Sequence, residues 1–136
     1  MATKVFINLP VKDLEQSKSF FQNLGFSVNP QFTDEKASCL VISESIYVML
    51  LTNAYFQTFI KTEICDARKA TEVLVALDAA SKEEVQEIIS KAQAAGAQLY
   101  AEPQDYGWMY QHSFADLDGH KWEFVYMDSS HMPTQE

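Results

Sequence analysis

Basic residues are scarce in this chain. Ten lysines and arginines stand against nineteen aspartates and glutamates, for a net charge of −9. With no basic surplus to neutralise phosphates, a nucleic-acid partner is excluded. Cysteine is scarcer still: Cys39 and Cys65 are the two present. A disulfide framework needs more, in a shorter chain, so both read as free thiols. Glycine occurs four times. No glycine-rich phosphate loop, dinucleotide fingerprint or Gly-Xaa-Ser-Xaa-Gly elbow can be traced. No apolar run approaches the roughly 18 residues of a membrane span. The start, Met1-Ala2-Thr3-Lys4, lacks a leader's apolar core and cleavage site. These absences predict a cytoplasmic protein without a membrane partner.

What is present is enough apolar material for a core: 47% hydrophobic and 12% aromatic over 136 residues. Its arrangement repeats. Residues 4–11 alternate Val5, Ile7, Leu9 and Val11 with Phe6, Asn8 and Pro10, which predicts a strand. Asp13 then offers a helix cap, Leu14, Phe20, Phe21 and Leu24 share a helix side, and Gly25 ends it. Strands are expected near 26–30, 37–43 and 46–52. The second half has the same order: a strand at 71–77, a capping box at Ser81-Lys82-Glu83-Glu84, and a stripe of Val85, Ile88, Ile89, Ala92 and Ala95 closed by Gly96. Strands are expected near 97–102, 108–116 and 121–127, with Asp116-Leu117-Asp118-Gly119 as a turn. Half a domain of this size exposes one sheet face, so two must pair to bury it. The reading is one α+β domain over 1–136. It has βαβββ modules at 4–52 and 71–127, a packed and partly helical connection at 53–70, and a loose tail at 128–136.

Two phrases carry a resemblance. Leu9-Pro10-Val11-Lys12-Asp13-Leu14-Glu15-Gln16-Ser17, followed by Phe20-Phe21 and Leu24-Gly25-Phe26, resembles the opening of the glyoxalase / bleomycin-resistance / extradiol-dioxygenase (vicinal-oxygen-chelate) superfamily. Ser113-Phe114-Ala115-Asp116-Leu117-Asp118-Gly119-His120-Lys121-Trp122-Glu123-Phe124 is similar to its closing motif, with Leu117 where proline is usual. The likeness spans about residues 4–127 and is nearest to the lactoylglutathione-lyase-like branch. It implies curved mixed sheets forming a cup, metal ligands on the first and last strands of the modules, and pairing of chains as a homodimer.

Strand alternation tests those ligand positions. Val73, Val75 and Leu77 should face the helices, turning Glu72, Leu74 and Ala76 to the cup. Trp122, Phe124 and Tyr126 share one face, turning Glu123 to the other. Glu72 and Glu123 thus match metal-ligand positions. Phe6 stands where the resemblance implies His or Gln, with Asn8 as a weak oxygen donor on the same face. Tyr47, Val48, Met49 and Leu50 replace the usual acidic ligand. His112, in phase with Trp108, Tyr110 and Phe114, is a candidate acid–base group. Tyr106, Trp108, Tyr110 and the nearby Met109 could line an apolar pocket for a planar ligand.

Two functions follow. One is an enzyme of lyase, isomerase or dioxygenase type acting on a small oxygenated molecule. In it, Glu72 and Glu123 would hold a divalent metal (Mn²⁺, Ni²⁺, Zn²⁺ or Mg²⁺), and Glu123 or His112 would move a proton. The other is a metal-free protein that sequesters a planar small molecule, with Asn8, Trp108 and Tyr110 as contacts.

Overall fold

The computed structural model describes residues 1–131. It comprises two compact units, Met1–Asp66 and Ala67–Glu136. The first begins with strand β1 (Val5–Val11) and helix α1 (Leu14–Asn23). Asp13 caps that helix, its Oδ1 accepting the Gln16 amide at 3.1 Å. The exit is closed by Phe26 N–H to the Phe21 carbonyl at 3.1 Å and Gly25 N–H to Gln22 at 3.0 Å. Gly25 sits at φ 105°, a conformation side chains resist. Strands β2 (Ser27–Asn29), β3 (Ala37–Val41) and β4 (Ile46–Thr52) complete the sheet, in the order β1-β4-β3-β2. β1 and β4 run parallel and the other pairs antiparallel. Leu14, Phe20 and Phe21 of α1 are buried, as are Leu9, Val11, Leu40, Val48 and Leu50, which share one sheet face.

The second unit repeats the design. Strand β5 (Leu74–Asp78) leads to helix α3 (Lys82–Ala94); the intervening helix α2 (Asn53–Gln57) belongs to the first unit. Ser81 Oγ accepts the Glu84 amide at 3.0 Å. The Glu84 carboxylate reaches one residue past the usual capping-box target, taking the Ala80 amide at 3.0 Å. The exit copies the first: Ala97 N–H bonds to Ala92 at 2.9 Å, and Gly96 has φ 109°. Strands β6 (Gln104–Asp105), β7 (Met109–Ala115) and β8 (Lys121–Met127) give the order β5-β8-β7-β6, again with one parallel pair, β5–β8. The core here is Val75, Leu77, Val85, Ile89, Ala92, Phe114, Trp122 and Phe124. Phe114 stacks on both Trp122 and Phe124, with centroids 6.5 and 6.0 Å apart. Two mixed βαβββ sheets, each with its helix, make the fold α+β as expected.

Three sequence expectations need correction. The strand expected at 71–77 starts at Leu74, because its partner β8 begins at Lys121 directly after a turn and leaves 71–73 nothing to pair with. Val73, expected to be buried, is therefore 59% exposed. The strand expected at 97–102 shrinks to one bridge between Gln98 and Ala115. Beyond it, the His112 ring nitrogen Nε2 engages the Ala101 carbonyl at 3.0 Å, and Pro103 has no amide hydrogen for a ladder. The connection 53–70 is partly helical, at Asn53–Gln57; Tyr55, Phe56 and Ile60 are half-buried there and Phe59 is 65% exposed. Of the tail, Ser129–His131 forms a 3₁₀ turn, and 132–136 lie outside the described residues. No helix among the described residues is long and apolar enough to cross a membrane.

One core position carries an unmet cost. Ser38 is fully buried, and its hydroxyl has no hydrogen-bond partner. Such a group forfeits hydration without recompense, at about 1–3 kcal/mol. Ser38→Ala should leave the fold intact and raise the urea midpoint, by a stability gain of about 1 kcal/mol.

Candidate functional site

In each sheet the helix covers one face, and the opposite face is partly open, with Ala37, Cys39 and Leu51 buried on it in the first unit and Ala115 in the second. On the open face of the first unit, Phe6, Asn8 and Pro10 lie in register with Tyr47, Met49 and Leu51. Phe6 and Tyr47 stack, their centroids 5.0 Å apart and planes 11° from parallel. Phe6 is 55% exposed, so one ring of this pair remains open to contact. The Lys4 ammonium lies 5.8 Å from the Tyr47 centroid. Asn8 is exposed, with its amide nitrogen 3.3 Å from the Phe6 carbonyl.

The open face of the second unit is more polar. Registers place Leu74, Ala76 and Asp78 of β5 beside Lys121, Glu123 and Val125 of β8, then Ala115, Ser113 and Gln111 of β7. Gln104 of β6 follows, paired with Gln111. Glu123 is half-buried between two small neighbours, Ala76 and Ser113. A hydrogen-bonded chain crosses the face: Tyr106 O–H donates to Gln104 Oε1 at 2.6 Å, and Gln111 Nε2 donates to the same oxygen at 3.0 Å. Sequence reasoning named Tyr106 as a pocket-lining aromatic but missed Gln104, Gln111 and Ser113. Counting alternation back from Glu123 through an antiparallel partner would have found Ser113 and Gln111, had the register been known.

The other candidates lie elsewhere. His112 is in register with Phe124, on the face opposite Glu123, and its ring serves the Ala101 carbonyl. The two proposed proton carriers are thus not brought together. Tyr110 is buried on that same face, with the Lys82 ammonium 4.9 Å from its ring centroid. Lys82 also pairs with Asp105 at 2.9 Å. The Gly107 amide and this ammonium hold the Asp105 carboxyl below its ordinary value. Trp108 is half-buried just ahead of β7, and its carbonyl accepts the Asp128 amide at 2.7 Å. Glu72 precedes β5 and is exposed, so no ladder orients it.

A divalent ion of the kind the resemblance implies needs about three protein donors at one point. Among the described residues, no three His, Cys, Asp or Glu side chains gather in that way. Phe6 contributes no donor, and the in-register neighbours of Glu123 are Ala76 and Ser113. The residues therefore do not fit the metal.

The closing motif proves to be a structural device. Asp116, 7% exposed, takes the Trp122 indole N–H on Oδ2 at 3.0 Å. Its Oδ1 takes the Asp118 and His120 amides at 2.9 and 3.0 Å. Burial pushes its carboxyl above the ordinary value, opposed by the charge of His120, the indole and the Asp118 amide. Lys121 Nζ donates to the Ala67 and Gly119 carbonyls, both at 2.7 Å, and Arg68 donates to the Leu117 carbonyl. A Cβ on Gly119 would lie 2.8 Å from the Arg68 amide nitrogen, so only glycine passes there.

Residues 3–43 match a family model described as bleomycin resistance protein-like N-terminal. Comparison with curated proteins finds no match. Among solved structures, a hypothetical protein from S. aureus is 33% identical, with 93% of this chain and 95% of that one covered and a TM-score of 0.78. A glyoxalase-related enzyme from Fulvimarina pelagi is 21% identical, with 93% and 88% covered and a TM-score of 0.78. The fosfomycin resistance protein FosX from Listeria monocytogenes is 21% identical, with 93% of each chain covered and a TM-score of 0.67.

The raised Asp116 value has a pH consequence. The folded state binds this proton more tightly than the unfolded state does. Its contribution is therefore full below the ordinary carboxylate value of about 3.9 and falls as pH rises through the folded value. Asp116→Asn removes that slope. Denaturation series from pH 4 to 7 should show the stability gap between wild type and variant moving in the variant's favour as pH rises.

Proposed function

We propose that this chain, which belongs to the glyoxalase / bleomycin resistance protein / dioxygenase superfamily, binds a small planar molecule on the open sheet face of its first unit without a metal ion. The observation that carries this reading is the exposed Phe6–Tyr47 stack. It occupies the first-strand position where the superfamily resemblance leads one to expect a metal donor. Stacked rings with one open face favour another π system, and burial of its apolar area adds to the affinity. Asn8, two residues along the same face, supplies a polar contact at the edge of such a ligand. The matched family model covers this strand, and the resistance proteins among the relatives are named for small antibiotics.

The metal-dependent alternative, a lyase, isomerase or dioxygenase, would need Glu72 and Glu123 together with a third donor. Neither Cys39 nor Cys65 is in a disulfide, which suits a reducing, cytoplasmic setting. Pairing of two chains is part of the reading. β1 and β5 are edge strands of their sheets, and Val5, Phe6 and Leu74 expose apolar side chains on them.

Titration with Nile red, a neutral planar fluorophore, tests the platform. Phe6→Ala should weaken binding roughly tenfold, about 1.4 kcal/mol, with the fold unchanged because the ring is exposed. Equal affinity in wild type and variant would overturn the reading. So would one equivalent of Mn²⁺, Ni²⁺, Zn²⁺ or Mg²⁺ per chain that survives desalting and is lost in Glu72→Ala. Sedimentation at micromolar concentration should show a dimer; a monomer alone would remove the pairing from the reading.

A further inference from the structure

The second unit's open face carries an anion that the aromatic platform does not use. Glu123 points to this face, and no described residue donates to its carboxylate or pairs with it. Asp78 shares the face. By register, Lys121 is the face's one base among the described residues. Its ammonium is already held by the Ala67 and Gly119 carbonyls, so it is turned to the turn rather than to the carboxylate.

Of the neighbouring polar groups, Gln111 is oriented by hydrogen bonds at the β6–β7 edge of the face. Gln104 Oε1 accepts from both Tyr106 and Gln111. Gln111 thus uses one amide N–H on Gln104 and keeps its carbonyl oxygen as an acceptor. Ser113 stands directly opposite Glu123, which sets their Cβ atoms about 4.5–5.5 Å apart. Gln111 is the diagonal neighbour, at about 7–8 Å, within reach of long side chains. The face thus offers a carboxylate, an amide oxygen and a hydroxyl. All three accept hydrogen bonds, and one is charged.

We propose that Glu123, Ser113 and Gln111 form a recognition site for a protonated amine on a small molecule. An ammonium group has three N–H donors and no acceptor, the complement of this set. A hydrogen bond to a charged partner is stronger than its neutral counterpart. A divalent metal would instead want further hard anionic donors, and Ala76 and Ser113 occupy the positions beside Glu123. The site uses no residue of the first unit, so it stands or falls apart from the aromatic platform.

The test is an NMR titration of the full-length protein with benzylamine, which is cationic at neutral pH, and with benzyl alcohol, its neutral match in shape. Amide shifts should cluster at residues 111–113 and 121–125. The amine should bind roughly tenfold more tightly than the alcohol at low salt, with the ratio falling as salt is added. Glu123→Gln, a near-isosteric change on an open face, should bring the ratio close to one. Ser113→Ala should lower it by a smaller factor. Equal binding of amine and alcohol, no shifts at these residues, or an unchanged ratio in Glu123→Gln would each overturn the proposal. Mn²⁺ broadening of the same amides that benzylamine fails to displace would assign the face to a metal instead and overturn it too.

Discussion

The buried carboxylate of Asp116 is the constraint on which the second unit depends. Three N–H groups converge on it: the Trp122 indole and the amides of Asp118 and His120. Together they set where the turn ends and therefore where β8 begins. Strand alternation does the rest. From that start, Trp122 and Phe124 enter the core, and Glu123 goes to the open face. A slip of one residue would exchange these faces, exposing two large aromatic side chains and burying a carboxylate. The same turn is stapled to residues 67 and 68 by Lys121 and Arg68, with Gly119 making room. A motif that reads as a family signature is, physically, a register lock.

The two open faces differ in chemistry although the two units share a plan. The first presents stacked rings beside methionine and proline. The second presents a carboxylate among amides and a hydroxyl. In each sheet the helix-side face holds most of the core, although Val5 on it is exposed. The open face is where side chains can change without disturbing the core. A metal centre would need about three hard or borderline donors at one point, and the resemblance looks for them on the first and last strands of the modules. Phe6 and the small neighbours of Glu123 have given those positions other uses.

Much of this architecture was legible before any coordinates. Asp13 and Ser81 announced helix starts, Gly25 and Gly96 announced stops, and alternation around Glu123 assigned it to the right face. These are local signals, carried by neighbours within about one helical turn or one strand. The strand 97–102 was misread because its residues alternate acceptably. Its loss depends on Pro103 and on a contact from His112, a residue on another strand.

The sequence by itself determined the duplicated βαβββ order, the caps, and the identity of most core residues, because each follows from spacing along the chain. Only the tertiary structure decided that His112 and Glu123 lie on opposite faces of one sheet, that Glu72 precedes its strand, and that Phe6 meets Tyr47. Those facts are set by pairing between strands distant in sequence, such as Phe6 with Tyr47 and His112 with Phe124. Register across such a pair is fixed by packing and turn geometry rather than by either strand's own pattern.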